Sequence, residues 1–419
     1  MAQHVPRTEE DGIIQPEELA VLESIQRRVL WLSTAIIDHA NHVRPNPDRT
    51  KVGGHQASSA SVVTILTALY FHYLEAGDRV SIKPHASPAY HAVQYLLGNL
   101  DREYLTTLRA YGGLQAYPSR TKDPDPVDFS TGSVGLGAVA PAFAALAHRY
   151  CAIHFGDVTS NRFVALIGDA ELDEGNVWEG VTEEALAGLG NVLWIVDLNR
   201  QSLDRIVPGV RAARLKALFD AAGWHVVEAK YGRRLQEIFA RPNGHVLRQR
   251  IDDMSNAEYQ ALIRLDGAEL RQRLIDGTTV NRQALAELIA PIDDADLPAV
   301  IADLGGHDFT ELLRCFHEVD QVSDRPSVIF AYTIKGWGLP IAGDPMNHSA
   351  LLTPEQMEEL RVALGVPEDD PWAAFPPGSP EARLCQAAAE RLRRPETTRP
   401  PAVSIEMVPA AIGVRHPAQ

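Results

Sequence analysis

The stretch FVALIGDAELDEGNVWEGVTEEALAGLGNVLWIVDLNRQSLD, residues 163–204, decides the fold. Two apolar runs, at 163–167 and 192–196, flank a segment of helical periodicity at 177–187, and this pattern predicts a β-α-β unit. Short buried strands that are joined by a crossover helix pair in parallel. The sequence therefore predicts an α/β domain with a doubly wound, mostly parallel sheet and helices on both faces.

A polar residue follows each of the two apolar runs. Gly168-Asp169 follows the first run and Asn199 follows the second, so both oxygen donors are expected at the sheet edge where open α/β sheets bind ligands. Magnesium prefers carboxylate, amide and carbonyl oxygens together with substrate phosphates. Asp169, Asn199 and a main-chain carbonyl near Gln201 are therefore the predicted metal ligands, and Gly168 would let the backbone approach a diphosphate. On this spacing alone, an α/β unit whose Asp and Asn only end strands and cap turns is an equal alternative.

Composition narrows the class of protein. The chain has 419 residues, is 45% hydrophobic and carries a net charge of -16. It can bury a large core, and its acidity argues against nucleic acid or an anionic membrane as a partner. We find no signal-peptide pattern and no apolar run long enough to span a bilayer. The three cysteines are far apart and are expected as buried free thiols. We expect a cytoplasmic protein.

The remaining sequence suggests three segments. Residues 1–50 form a helical lead, with helical periodicity at 16–40. Residues 51–350 form the main domain, and the charged, helix-periodic stretch at about 233–305 is a predicted helical insertion. The proline-rich composition of residues 351–419 is typical of a linker or tail, with one short helix at about 381–394.

Several short motifs could contact an anion. Glycines precede predicted helices at 53–59 (GGHQASS) and 130–137 (STGSVGLG), where free amides and the helix dipole favour a phosphate. Taken alone, the first motif is better explained as a glycine turn with a serine cap. His85 ends a predicted strand at 79–82. Lys335, before Gly336, could reach a phosphate as a point charge, although exposed lysines more often aid solubility.

These motifs together resemble a known family. Gly168-Asp169 followed about thirty residues later by Asn199 is similar to the thiamine diphosphate signature of transketolases and 2-oxo acid dehydrogenases, usually Gly-Asp-Gly to Asn-Asn. Ala170 replaces the second glycine, and Asp197-Leu198-Asn199 replaces the asparagine pair. The order of the motifs, and the ending Asn-x-Gln-x-Leu-Asp at 199–204, resemble the N-terminal, diphosphate-binding half of the homodimeric pyruvate dehydrogenase first component. Pro84 stands where that family has glycine.

The resemblance implies cofactors and residue roles. Thiamine diphosphate and Mg²⁺ are the implied cofactors, with Asp169, Asn199 and Gln201 as metal ligands. The implied catalytic residues are His55, His85 and His348, of which His348 would close the site and contact the acyl acceptor. The implied cofactor-binding residues are Ser58, His85, Ser133, Val134, Gly135, Gly168, Asp169, Ala170, Glu171, Asn199 and Lys335.

The resemblance also implies a partner. In the family, a second, pyrimidine-binding domain supplies the glutamate that activates the cofactor, and we find no such domain in residues 340–419. We therefore expect a separate chain that carries the pyrimidine domain and this glutamate, in a heterotetramer. A lipoyl or other acyl-carrier domain is a further candidate partner.

Three functions remain open on the sequence alone. The first is a split thiamine diphosphate enzyme that decarboxylates pyruvate or a related 2-oxo acid and passes a two-carbon unit to a carrier thiol. The second is a split transketolase-like enzyme that transfers a ketol unit, suggested by the stretch EGNVWE at 174–179. The third is a non-catalytic paralogue, suggested by Ala170.

Overall fold

The computed structural model describes residues 14–47, 50–156, 161–202, 205–206, 212–279 and 281–394. Its centre is a parallel sheet of five strands in the order β1-β2-β3-β5-β4. The strands are β1 Arg79–Ser81, β2 Phe163–Gly168, β3 Val192–Leu198, β4 His225–Ala229 and β5 Ser327–Tyr332. The two apolar runs are confirmed as β2 and β3, and the predicted α/β fold is confirmed.

Helices surround the sheet. The sixteen α-helices of the described residues are α1 Pro16–Asp38, α2 Gln56–Ala60, α3 Val63–Ala68, α4 Ser87–Leu96, α5 Leu136–Phe155, α6 Gly175–Val181, α7 Ala212–Ala221, α8 Arg233–Phe239, α9 Gly244–Asp252, α10 Asn256–Leu262, α11 Gly267–Asp276, α12 Arg282–Ile289, α13 Leu297–Ile301, α14 Phe309–Asp320, α15 Pro354–Ala363 and α16 Pro380–Arg391. The helices α8 to α13 occupy the stretch that we predicted as a helical insertion.

The sheet is buried on both faces. Along β2, Val164 and Leu166 pack into one apolar cluster, whereas Ala165 and Ile167 pack into a second. Successive residues of a strand point to opposite faces, so a strand that is buried on both sides needs an uninterrupted apolar run. This explains why β2 and β3 could be predicted from sequence.

The predicted crossover helix at 177–187 is shorter than expected. Helix α6 ends at Val181, and a separate 3₁₀ turn covers Glu184–Leu186. The Thr182 hydroxyl donates to the carbonyl of Trp178 (2.9 Å), and the Glu183 carboxylate accepts the amide of Ala185 (2.9 Å). Such local side-chain bonds compete with the helical backbone pattern and end the helix.

The described part of the predicted tail packs on the body of the protein. Helices α15 and α16 lie against α1, and Met357, Cys385 and Ala388 are buried in the first apolar cluster. Arg391 donates to the carbonyls of Tyr70 and Leu74 (2.8 and 2.9 Å). Residues 351–394 are therefore not an extended linker. Residues 395–419, residues 1–13 and the Leu-Asp end of the motif at 203–204 lie outside the described residues.

Helix α5 corrects two expectations. Within the described ranges it is the one helix that is long and apolar enough to cross a membrane by length and composition, whereas we predicted no such run. One face of α5 packs on β1 and β2, so the helix is also an element of the α/β body. It carries Cys151, which is exposed and not buried as expected; Cys315 and Cys385 are buried.

Candidate active site

One cleft at the carboxyl edge of β2 and β3 brings most of the predicted site residues together. Its lining residues are Ser58, Lys83, Pro84, His85, Ser133, Gly168, Asp169, Ala170, Glu171, Asp173, Glu174, Asn199, Gln201, Lys335 and His348. Parallel pairing places Gly168 beside Asp197, so the ends of both strands meet at this edge as predicted. Of the predicted residues, His55, Val134 and Gly135 adjoin the cleft without lining it.

The predicted metal ligands lie on one side of the cleft. The Asp169 carboxylate accepts the amide of Arg200 (2.8 Å), and the Asn199 side-chain oxygen accepts the amide of Gln201 (3.1 Å). Burial, reinforced by Asp197, raises the pKa of Asp169 to about 7. The side-chain oxygen of Gln201 is buried without a hydrogen-bond partner. The buried Asp169 carboxylate has too little compensating positive charge, and the Gln201 side-chain oxygen has no hydrogen-bond partner among the described residues. Both oxygens are therefore suitable ligands for a hard divalent cation.

Asp197 is a site residue that the sequence analysis missed. Its carboxylate accepts hydrogen bonds from Ser61 (2.9 Å), Asn199 (3.1 Å), Lys83 and Thr333. Burial alone would raise the pKa of Asp197, but the paired Lys83 and the hydroxyl donors hold it below its ordinary value. Asp197 fixes the amide of Asn199, the neighbouring predicted ligand. The signal was present in the sequence, because side chains two residues apart on a strand point the same way.

Two buried lysines line the cleft, and Lys83 is paired with Asp197 beside the predicted metal ligands. Lys335 and Lys83 are only 3% and 5% exposed. The ammonium nitrogen of Lys335 lies 3.3 Å from Nδ1 of His348. The Lys335 ammonium beside His348 provides positive charge that suits a diphosphate anion, whereas the charge of Lys83 is offset by Asp197.

Two hydrogen bonds hold the Lys335 turn in place. The Gly336 amide donates to the carbonyl of Ala57 (2.8 Å), which ties this turn to α2 and hence to Ser58. The buried Asn347 side chain donates to the carbonyls of Lys335 (3.0 Å) and Ile341 (3.1 Å) and closes the loop that carries His348. Asn347 thus positions two predicted site residues, and its role was not predicted.

The three predicted catalytic histidines form one cluster. The ring centroids of His55 and His85 are 4.0 Å apart, those of His55 and His348 are 4.6 Å apart, and those of His85 and His348 are 5.6 Å apart. Burial, followed by the neighbouring His85 and His348, lowers the pKa of His55 to about 2, and burial, followed by Lys83, lowers the pKa of His85 to about 4. Both rings are neutral near pH 7, so each offers one N–H donor and one nitrogen acceptor.

The glycine-rich loop at 130–137 contributes Ser133 to the lining of the cleft. Gly135 has φ of 76° directly before α5, and a Cβ there would lie 2.7 Å from both Asn176 and Val177. The Asn176 side chain donates to the carbonyl of Val134 (3.0 Å), which fixes the loop against α6. Only glycine meets both the conformational and the steric requirement at position 135. The side chain of Val134 points outward and is half exposed.

The turn after β2 has room for Ala170, which stands where the usual motif has its second glycine. Residues Asp169–Asp173 form a 3₁₀ turn in which the Glu171 carboxylate accepts the amide of Gly168 (3.0 Å), and burial raises the pKa of Glu171 to about 7. Ala170 is exposed in the cleft and has no positive φ. The backbone therefore does not require glycine at position 170. A Cβ at Gly168 would meet only Glu171, at 3.8 Å.

Comparisons with known proteins agree with this fold. Residues 72–242 match the family described as transketolase, thiamine diphosphate binding domain. The chain is 28% identical over 399 residues to the pyruvate dehydrogenase E1 component of Escherichia coli K12, covering 90% of this chain and 44% of that protein. The corresponding protein of Pseudomonas aeruginosa is 29% identical over 359 residues, covering 83% of this chain and 39% of that protein. The chain thus spans less than half the length of these relatives.

Solved transketolases share the fold. A transketolase from Pichia stipitis superposes with a TM-score of 0.60 at 18% identity, covering 89% of this chain and 44% of that chain. The transketolase of Campylobacter jejuni gives a TM-score of 0.57 at 20% identity, covering 89% and 46%. The predicted resemblance to the thiamine diphosphate-dependent transketolase and pyruvate dehydrogenase superfamily is confirmed. The chain resembles the N-terminal half of its pyruvate dehydrogenase members.

Proposed function

We propose that this chain is the diphosphate- and Mg²⁺-binding subunit of a split thiamine diphosphate-dependent enzyme. The proposed enzyme decarboxylates pyruvate or a related 2-oxo acid and transfers the two-carbon unit to a carrier thiol. The observation that carries the proposal is the cleft itself, which brings Asp169 and Asn199 together with Lys335 and His85. The similarity to pyruvate dehydrogenase E1 components over 90% of the chain supports the choice of substrate class.

The residues present fit the two cofactors. Asp169, Asn199 and Gln201 would hold the cation, and Lys335, Ser58 and His85 would hold the diphosphate. Thiamine diphosphate, when bound, supplies an electron sink for the carbanion that decarboxylation leaves. The chain's own contribution is to orient this group and to neutralise its charge.

The neutral histidines are suited to proton handling beside the substrate. His55 and His85 can each donate a hydrogen bond to a substrate oxygen without bringing a fixed positive charge into the pocket. His348, which is held by the Asn347 loop, would contact the acyl acceptor. A closed loop at this place would also exclude water from the reaction.

The proposal assigns the remaining half of the active site to a separate chain. The carboxylates that line the cleft, Asp169, Glu171, Asp173 and Glu174, all come from the turn after β2. The glutamate that activates the pyrimidine ring would come from the partner, in a heterotetramer with two copies of each chain. A lipoyl or other acyl-carrier domain is the proposed acceptor, and the cytoplasm is the proposed location.

The decisive experiment measures release of labelled CO₂ from carboxyl-labelled pyruvate. This chain is co-expressed with a candidate pyrimidine-domain chain and assayed with thiamine diphosphate and Mg²⁺. We expect release that disappears in Asp169→Ala. The surface variant Val362→Ala, on α15, should retain full release. Absence of release with cofactor demonstrably bound would overturn the 2-oxo acid assignment.

A transketolase-like ketol transfer is the second candidate. It is favoured by the match of residues 72–242 to the transketolase domain and by Asn176 of the EGNVWE stretch, whose side chain fixes the glycine loop. Formation of a ketol product from a sugar phosphate donor, without CO₂ release, would support it.

The third candidate, a non-catalytic paralogue, depends on the Ala170 methyl group. Because Ala170 is exposed and has an ordinary φ, we expect Ala170→Gly to leave the affinity for thiamine diphosphate within about threefold, less than 1 kcal/mol. A much tighter complex in Ala170→Gly, measured by calorimetry with Mg²⁺, would show instead that the methyl group obstructs the cofactor.

A further inference from the structure

Another cavity lies beside the cleft, on the side of the helical insertion. It has a volume of about 90 Å³ and is bounded by the turn after β2, the end of β3 and the helices α7, α9 and α10. Asp169, Ala170 and Asp173 line both the cleft and this cavity, so the two are separated by a single turn of the chain. A cavity of this size has room for roughly six water molecules, or for a small organic molecule of about six heavy atoms.

The lining of this cavity is mostly apolar. Leucine, isoleucine and methionine side chains cover much of it, together with the rings of Tyr231, Tyr259 and Tyr332. Lys230 also lines the cavity, but it is paired with Asp252 and lies over the Tyr231 ring, 4.9 Å from the centroid. Small-molecule sites combine an apolar lining of this kind with a few polar groups that fix the orientation of the ligand.

Arg200 is the polar group that is available to a ligand. Its guanidinium lies over the Tyr259 ring, 4.2 Å from the centroid. The Nε and Nη2 atoms of Arg200 are buried without a hydrogen-bond partner, and the described residues give this guanidinium no ion pair. Buried donors without an acceptor are unfavourable. A carboxylate would satisfy them, because its two oxygens match the planar N–H groups of an arginine.

The backbone of Arg200 links the cavity to the cleft. Its φ is 63°, a left-handed conformation that residues other than glycine adopt rarely. In this conformation the Arg200 amide donates to the Asp169 carboxylate (2.8 Å), while the side chain lines the cavity. Backbone strain of this kind is concentrated at functional sites. Arg200 therefore contacts a predicted metal ligand with its main chain and the cavity with its side chain.

We propose that this cavity binds a small monocarboxylate with a short apolar body, and that the carboxylate pairs with Arg200. The apolar body packs against the leucine and tyrosine side chains of the lining. The acidic residues of the lining limit the charge of the ligand: Asp252 is paired with Lys230, but Asp169 and Asp173 lie on the edge that is shared with the cleft. These two carboxylates disfavour a dianion such as phosphate relative to a monocarboxylate.

The cavity is coupled to the metal side of the cleft. Asn199 and Gln201, two of the predicted metal ligands, flank Arg200 in the chain. A carboxylate on Arg200 neutralises a positive charge next to the cation, and a cation on Asp169 neutralises a negative charge next to the carboxylate. Each ligand should therefore strengthen the binding of the other by the same factor, about fivefold or more. This coupling rests on the proposed Mg²⁺ site, whereas the binding of the carboxylate does not.

The test uses isobutyrate as the probe and its neutral analogue isobutyramide as the control ligand. Saturation-transfer NMR on the full chain without cofactor should give a Kd for isobutyrate on the order of 1 mM, and binding of isobutyramide at least about tenfold weaker. Arg200→Leu, which removes the charge, and Leu215→Trp, which fills the cavity from α7, should each weaken isobutyrate binding by about tenfold or more. Lys335→Met removes a cation from the cleft and is the matched control, with unchanged affinity expected.

Three results would overturn the proposal. No binding of isobutyrate by the original chain well above the expected Kd excludes the site. Equal binding of isobutyrate and isobutyramide excludes the ion pair with Arg200. Loss of binding in Lys335→Met, with binding retained in Arg200→Leu, assigns the carboxylate to the cleft. Far-UV circular dichroism verifies that each variant is folded.

A separate titration measures the coupling. Thiamine diphosphate with Mg²⁺ is titrated into the chain by calorimetry, with and without saturating isobutyrate. Tighter cofactor binding in the presence of isobutyrate, lost in Leu215→Trp, supports the coupling, and an unchanged affinity excludes it. A chain that binds isobutyrate but never the cofactor, even with its partner present, contradicts the proposed function and leaves the carboxylate site in place.

Discussion

The ion pair between Lys83 and Asp197 offers the sharpest test of how the cleft is built. Both groups are almost fully buried, and Asp197 also accepts from Ser61, Asn199 and Thr333. Replacing Asp197 by Asn removes the charge that compensates the Lys83 ammonium. Removing one member of a buried pair costs about 3–5 kcal/mol, because the other charge stays buried. Asp197→Asn should therefore lower the free energy of unfolding by about that amount.

A double-mutant cycle separates this pair from its surroundings. Lys83→Met alone should also cost about 3–5 kcal/mol, because it leaves a buried carboxylate. The combination of Lys83→Met with Asp197→Asn is neutral and should recover to within about 2 kcal/mol of the original protein. Guanidinium denaturation followed by circular dichroism gives the four free energies of unfolding. The matched control is the exposed pair Arg273 and Glu269, for which about 0.5 kcal/mol or less is expected.

The cycle can refute the reasoning. If the two single costs add in the double variant to within about 0.5 kcal/mol, Lys83 and Asp197 do not interact as the structure indicates. Asp197→Asn should also weaken Mg²⁺-dependent cofactor binding, because it frees the amide of Asn199 to turn. Unchanged binding would show that Asn199 is oriented by its other contacts.

Three further predictions concern other parts of the domain. The ring of His91 is buried between Asp125 (2.7 Å) and Asp123 (3.7 Å). Burial alone would lower the pKa of His91, but the two carboxylates raise it. Protonated His91 therefore stabilises the fold fully below pH 6.5, and this stabilisation is lost as the pH rises through the folded-state pKa. Replacing His91 with Asn should flatten this slope in thermal melts at several pH values, and an unchanged slope would contradict the assignment. Gly135→Ala should lower the free energy of unfolding more than Gly98→Ala does, as measured by denaturant titration. Both glycines have φ near 75°, but only at Gly135 would a Cβ meet neighbouring atoms. Equal losses of stability in the two variants would show that this crowding does not matter. Asn347→Ala should lower the free energy of unfolding by about 1–3 kcal/mol, because two hydrogen bonds are lost. The same variant should be cleaved faster by proteases in the loop before His348. An unchanged cleavage rate would show that other contacts hold this loop.

The sheet and the metal side of the cleft were predictable because they depend on local patterns. The runs that became β2 and β3 are apolar on both faces, and parallel pairing then places Asp169 and Asn199 at one edge. The end of α6 was not predicted, because it depends on the side-chain bonds of Thr182 and Glu183 rather than on hydrophobic periodicity. The short helix predicted at about 381–394 corresponds to α16, but α15 and the packing of both helices on α1 were missed because the prolines around them dominated the composition.

Asp197 and Asn347 show where sequence reasoning reached its limit. Most partners of Asp197 are distant in the chain, and those of Asn347 lie in the loop that its own hydrogen bonds close, so only the folded structure shows that these bonds hold cleft residues in place. Each motif residue can be recognised from the sequence by itself. The side chains that hold the motif residues in place can be found only from the structure, by identifying the hydrogen-bond partner of each buried donor and acceptor.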